Sequence, residues 1–397
     1  MESIREKFYR KVAGVPAKFK RYYYNDINWD ARMVGLQGAR GVGKTTLMLQ
    51  YVKNKLPIDK STIYVSLDDI YFASNTLSDF VDLFVKKGGK FLFIDEVHKY
   101  KNWSLELKNI YDDFAELKIV FTGSSILPLI KSKSDLSRRA VMYNIKGLSF
   151  REFINFTENA DFRALELSDL LKNSYELCRE INSKIRPVSK IEEYNKIGYY
   201  PYFIENKINY LQLLNETINQ TIETDIPIYL DLNIESIEKM KKLLYIIATS
   251  APFKPNISKL SEKIGITRNT LKQFLHYLNK ANIINLLFTN AKGDSKLQKP
   301  EKIYLQHPNL MYALNYLNIN IGTLRETFFF NQTSNMYYVE YTKTGDFYVE
   351  NEFIFEVGGK NKTFKQIKDI KNSYIAADNI EYGTETKIPL YLFGFLY

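Results

Sequence analysis

Eight consecutive residues, Gly38-Ala39-Arg40-Gly41-Val42-Gly43-Lys44-Thr45, fit the pattern G-x-x-x-x-G-K-[ST] at every fixed position. Glycines at this spacing let the backbone wrap closely around a phosphate, and the amides that open a following helix point at its oxygens. Lys44 is placed to reach the terminal phosphates, Thr45 to offer its hydroxyl to Mg²⁺, and Thr46 to complete the cradle. Further on, "KFLFIDEVHKY" ends an apolar run in two carboxylates. Hydrolysis of a bound phosphoanhydride needs a metal-holding acid and a group that orients water. Asp95 is expected to hold Mg²⁺ through water, and Glu96 to act as general base.

These residues must be brought to one place by the elements that carry them. A strand-like run precedes the glycines and a helix-like one follows. The apolar runs in "ARMVGLQ", "STIYVSLDD", "KFLFIDE" and "KIVFTGSS" are short, continuous and rich in Val, Ile and Phe, and helical patterns separate them. That is the pattern of a parallel sheet built from βαβ units, and it predicts a doubly wound α/β domain over residues 1–149. The run "IVFTGSS" places Thr122, Ser124 and Ser125 at the same carboxyl edge. One of these hydroxyls could bond the γ-phosphate or the water, and Ser124 is taken for the role. "SDLSRRAVMYNIKG" presents Arg138 and Arg139 before another strand, where an arginine could stabilise transition-state charge in cis or from a neighbouring subunit.

The second half reads differently. Residues 150–236 are helical by period and are expected to form a lid. Residues 237–318 read as a winged helix-turn-helix, with Gly265 at the turn and Thr267 as the cap of the third helix. On that helix Leu271, Phe274, Leu275 and Leu278 form the core face. Arg268, Lys272 and Lys280 could meet DNA phosphate, or the module could serve packing and subunit contact. Residues 319–397 return to β-rich text, with a Lys-rich helix and a last strand, "IPLYLFGFLY".

Composition bounds the reading without deciding it. The 397 residues are 45% hydrophobic and 25% charged, as expected of a folded multidomain chain. A net charge of +10 makes polyanion contact plausible. The single cysteine, Cys178, excludes an intrachain disulfide framework, and three scattered histidines exclude a histidine metal site. No apolar run is long enough for a membrane span and the charged N-terminus lacks a signal-peptide core, so a cytoplasmic protein is expected.

Taken in order, "GARGVGKTT", "FIDEVHKYKNW", "TGSS", "DLSRRA" and "LSFREF" resemble the prokaryotic AAA-type ATPases whose C-terminal half is an uncharacterised winged-helix and nuclease-like module. The resemblance covers nearly the whole chain. It implies ATP rather than GTP as the nucleotide, a sensor-type hydroxyl after the fourth strand, and Arg139 rather than Arg138 as the arginine finger. The order of Glu326, Asp346 and Glu356 resembles the PD-(D/E)XK nuclease core, in which acids hold Mg²⁺ beside the scissile phosphate. The usual lysine two positions after the second acid is missing. Gly358 stands there, Gly359 follows, and Lys360 or Lys362 comes too late unless the strand bulges. A degenerate nuclease fold is therefore expected. The functional expectation is Mg²⁺-dependent ATP hydrolysis coupled to the C-terminal modules. The alternatives are a nucleotide-controlled DNA- or partner-binding switch and an ATP-gated nuclease, with DNA, a protein partner or a homo-oligomer as expected contacts.

Overall fold

The computed structural model describes residues 2–16, 18–126, 136–230, 232–250, 254–289 and 299–397. The chain divides into two compact units, Met1–Gly147 and Leu148–Tyr397.

In the first unit the apolar runs become five strands: β1 Met33–Gly38, β2 Thr62–Ser66, β3 Phe91–Asp95, β4 Lys118–Ser124 and β5 Val141–Asn144. They lie in the order β2-β3-β4-β1-β5, and every pairing is parallel. The strand between β1 and β3 in sequence, β2, lies at the sheet edge. The strand between them in space is β4. Helices α1 Glu2–Gly14, α2 Lys44–Lys55, α3 Leu77–Lys86 and α4 Trp103–Asp113 accompany the sheet. Ile63, Leu92, Ile94, Ile119 and Phe121 of the sheet share one buried cluster with Phe80, Phe84, Trp103 and Leu107 of α3 and α4. Burial on both faces is why β1 to β4 read as unbroken apolar runs instead of alternating ones, whereas the edge strand β5 stays largely exposed. Each strand ends at the same edge, because Ser66 pairs with Asp95 and Gly38 pairs with Ser124. The first unit is thus a P-loop NTPase fold with a central parallel sheet.

The second unit opens with α5 Phe150–Thr157, held by a capping box in which Ser149 Oγ accepts from Glu152 N at 3.0 Å and Glu152 Oε2 accepts from Ser149 N at 3.2 Å. Helices α6 Leu167–Lys172, α7 Ser174–Lys184, α8 Pro187–Ile197 and α9 Tyr210–Gln220 follow. Then come α10 Ile234–Thr249, α11 Ile257–Ile264 and α12 Arg268–Lys280. The antiparallel pair β6 Ile284–Leu287 and β7 Lys302–Leu305 completes this segment. Gly265 has φ 76° between α11 and α12, and Thr267 Oγ1 accepts from Thr270 N at 3.1 Å. Helix α13 Pro308–Asn315 leads to α14 Ile321–Thr333, which is buried on almost every side from Thr327 to Thr333.

The tail forms a second five-stranded sheet of β8 Val339–Glu340, β9 Phe347–Val349, β10 Phe353–Gly358, β11 Ser373–Ala377 and β12 Lys387–Pro389, in the order β12-β11-β10-β9-β8. The β10-β11 and β11-β12 pairs are parallel and the others antiparallel. Two expectations fail here. The Lys-rich segment makes only a short turn at Phe364–Gln366, because Ile367 is drawn into a small cluster with Ile375 and Ala377, and Ser373 Oγ bonds the carbonyls of Ile367 and Ile370. The last apolar run pairs only at Ile388 and Pro389, and Pro389 has no N–H to donate. It continues as a tight 3₁₀ segment, Leu390–Phe395, buried throughout.

Candidate active site

The glycine-rich loop runs from the end of β1 into α2. Gly41 and Gly43 have φ of 83° and 89°, a region open to glycine at little cost. At Gly38 the reason is proximity, since an added Cβ would lie 2.3 Å from the carbonyl oxygen of Ile145. Lys44 is buried, and its Nζ donates to the carbonyls of Gly38 at 2.9 Å and Ala39 at 3.0 Å. Thr46 is exposed on the first turn of α2, and Ala39 and Arg40 are half-buried. Thus the loop presents its backbone and one ammonium at the sheet's carboxyl edge.

Asp95 closes this edge from β3. Its Oδ2 accepts from Thr45 Oγ1 at 2.8 Å and from Tyr64 OH at 2.7 Å, and its Oδ1 accepts from Thr122 Oγ1. Burial, then the neighbouring Asp95 carboxylate, pushes the Tyr64 phenol far above its ordinary range, so it remains a donor. Tyr64 in turn accepts from Lys11 Nζ at 3.0 Å. Glu96 follows with a left-handed backbone, φ 54°, which is uncommon for a non-glycine residue and concentrated at functional sites. Its N–H donates to Thr122 Oγ1 at 3.1 Å, and its Oε2 lies 3.2 Å from Nε2 of the buried His98. One hydroxyl, that of Thr122, therefore fixes both acids.

The structure also separates the candidate hydroxyls. Thr122 is committed to Asp95 and Glu96. Ser124 lies beside Gly38 in the β1–β4 register, next to the loop, and is nearly buried, as is Ser125. Arg139 is not brought to this edge. It precedes β5, whose first residue Val141 pairs with Val34 near the start of β1, and so lies at the opposite edge of the sheet. There its Nε and Nη2 donate to Asp112 Oδ1 and Oδ2, each at 2.9 Å. Arg139 and the loop of its own chain are therefore separated by the length of β1. Arg138 is exposed on the same turn, and Asp135 of "DLSRRA" lies outside the described residues.

Tyr64, His98 and Arg21 carry no motif and were not anticipated. Arg21 is buried, and its guanidinium donates to Val42 O at 2.9 Å, to Lys146 O at 3.0 Å from both Nη atoms, and to Gly147 O at 2.7 Å. It ties the back of the glycine loop to the chain that leaves β5.

In the second unit Glu326 of α14, Asp346 before β9 and Glu356 of β10 converge. Lys302 Nζ of β7 lies 2.9 Å from Glu326 Oε2 and 3.1 Å from Asp346 Oδ1. Lys362 Nζ pairs with Glu356 Oε1. Burial raises the Glu356 carboxyl above its ordinary range despite Lys362. Beside them a cavity of about 580 Å³ is lined by Arg325, Gly359, Lys360, Asn361, Lys362 and Asn379. On α12 Arg268 is exposed, while Lys272 and Lys280 are half-buried.

The fold and the loop are those of a P-loop NTPase domain. Residues 30–154 match the family described as an AAA domain, and residues 188–321 match a domain of unknown function, DUF8612. An uncharacterized protein of Methanocaldococcus jannaschii, MJ1637, is 27% identical over 299 residues, which are 72% of this chain and 62% of that protein. The match therefore spans less than two thirds of the relative. Among solved structures, the Aeropyrum pernix Orc1 protein in complex with DNA aligns at TM-score 0.31 and 13% identity, over 79% of this chain and 92% of the other. AMPPCP-bound DnaA from Aquifex aeolicus aligns at TM-score 0.27 and 14% identity, over 65% and 84%. Likeness at these scores carries no function across. No helix among the described residues is long and apolar enough to cross a membrane.

Proposed function

We propose that the first unit binds Mg²⁺ and ATP and hydrolyses the nucleotide. The observation that carries this reading is the joining of Thr45, Asp95 and Glu96, through Thr122, at the edge where the glycine loop opens α2. The residues fit the group: a loop with no room for a Cβ at Gly38, a helix start facing outward and a buried lysine are what a polyphosphate requires. Thr45 and Asp95 would hold the cation, whose charge on the phosphates favours displacement at phosphorus. Lys44 exchanges its two loop carbonyls for phosphate oxygens. Glu96, with His98 Nε2 3.2 Å from its Oε2, takes the proton of the attacking water. Ser124 is the hydroxyl placed to bond the terminal phosphate or that water.

A second reading, a nucleotide-controlled switch with slow turnover and DNA or protein as partner, is favoured by the position of Arg139. A single chain offers its own site no arginine from that turn, so fast turnover would depend on one supplied in trans. Phosphate release from wild type, Lys44→Ala and Glu96→Gln tests the first reading, since equal rates in all three would end it. Release per chain that rises with protein concentration in wild type, and not in Arg139→Ala, is expected if the arginine acts in trans. A rate independent of concentration in both favours the switch.

A further inference from the structure

The acid cluster of the second unit has no place in the reading above. Two carboxylates, Glu326 of α14 and Asp346 before β9, share Lys302, and Glu356 of β10 lies beside the backbone N–H that Asp346 accepts from Val357. Here each one has an ammonium. Lys302 is 7% exposed at its side chain and stands between Glu326 and Asp346, themselves 14% and 17% exposed. Tyr304 OH, from the same strand, donates to Glu326 Oε2 at 2.5 Å, and Val357 N donates to Asp346 Oδ2 at 3.0 Å. Glu326 Oε2 and both oxygens of Asp346 are thus already engaged by protein donors.

We propose that the Lys302 ammonium, delivered by β7, is the resident cation of the Glu326–Asp346 pair and closes this site to divalent metal. An ammonium nitrogen about 3 Å from both oxygens occupies the point that a bridging ion would need. Being part of a paired strand, it pays no association entropy and cannot diffuse away, whereas Mg²⁺ must shed water it gives up reluctantly. Burial alone would lower the pKa of Lys302, but Glu326 and Asp346 outweigh it and hold the pKa above its ordinary value, so the charge is permanent at neutral pH.

Glu356 is closed in the same manner, by Lys362. The lysine two positions on is absent, but a Cβ on Gly358 would meet Cβ, Cγ and Cδ of Lys362, each at 2.8 Å. The stem of Lys362 fills the space of the missing side chain and brings Nζ to Glu356. Across the cluster, three carboxylates face two ammoniums, a formal charge of −1. Among the described residues no three His, Cys, Asp or Glu side chains are grouped so as to hold a metal ion.

The test is Mn²⁺ binding to the full chain without nucleotide, followed by electron paramagnetic resonance. Wild type is expected to show no Mn²⁺ whose binding depends on Asp346. Lys302→Met is expected to bind Mn²⁺ at least about tenfold more tightly, and Asp346→Asn in that background to abolish the gain. A second measurement needs only wild type: an amine-directed reagent should leave Lys302 unlabelled with and without Mn²⁺. Labelling of Lys302 that rises with Mn²⁺ would mean that metal displaces the ammonium and would overturn the proposal. So would Asp346-dependent binding in wild type, or a folded Lys302→Met chain that gains none. Since nucleotide is absent throughout, none of these outcomes bears on ATP hydrolysis.

Discussion

Replacing Thr122 by Val preserves the volume of the side chain and removes one hydroxyl. That hydroxyl donates to Asp95 Oδ1 and accepts from Glu96 N, and Thr122 is fully buried, so water cannot take over either bond. A bond to a charged acceptor contributes roughly 1.5–3 kcal/mol, and a buried N–H left without an acceptor costs about 1–3 kcal/mol. Because the two share one atom they are not independent, and we take about 3 kcal/mol for the pair. At roughly 2–4 °C per kcal/mol for a unit of this size, the first unit should melt about 6–12 °C lower. The consequence for turnover should be larger, since both acids lose their common tether and a misplacement of about 1 Å can cost on the order of 100-fold. Thr122→Ser, which keeps the hydroxyl and loses a methyl, should cost about 1 kcal/mol and retain turnover. Calorimetry and phosphate release on both variants decide the matter. If Thr122→Val melts with Thr122→Ser and hydrolyses ATP at the wild-type rate, the single-hydroxyl tether is wrong.

Two further outcomes are expected. Arg21→Ala removes the donors that hold Val42 O to Lys146 O and Gly147 O, and should weaken ATP binding by about tenfold or more in isothermal titration; unchanged affinity would show that the loop keeps its shape unaided. Lys302 has a folded-state pKa above its ordinary 10.5, so the stability it contributes is fully present below pH 10.5 and is lost as pH rises through the folded value. The melting temperatures of wild type and Lys302→Met should therefore differ at neutral pH and converge in strong alkali, and a gap that widens with pH would contradict the ion pair.

Much of the candidate site's placement was legible because motif and local structure coincide there. The spacing from Gly38 to Thr45 falls on a strand-to-helix turn, and the apolar run ending in Asp95 is itself a strand. What sequence could not show was which strands are neighbours. Thr122 and Ser124 look equivalent in "TGSS", and only the insertion of β4 between β3 and β1 puts the first beside Asp95 and the second beside Gly38. The position of Arg139 was hidden for the same reason, since proximity to the motif in sequence does not say at which edge of the sheet a turn lies. Arg21 acts through its guanidinium on backbone carbonyls up to 126 residues away, a role that leaves no pattern. Counting along the strand does not show that Lys362 reaches Glu356, because the controlling quantity is the space above Gly358 that its stem fills.

The Arg21 clamp also sets an order of events during synthesis. Its acceptors at residues 42, 146 and 147 bracket nearly the whole first unit, and β1 itself is flanked by strands made about a hundred residues later. The glycine loop is therefore translated early but receives its backing only when Gly147 has left the ribosome. A nascent chain shorter than this carries the complete phosphate-binding motif without a surface to hold it in shape. On the proposed function, nucleotide would then stabilise the finished unit over every partial one.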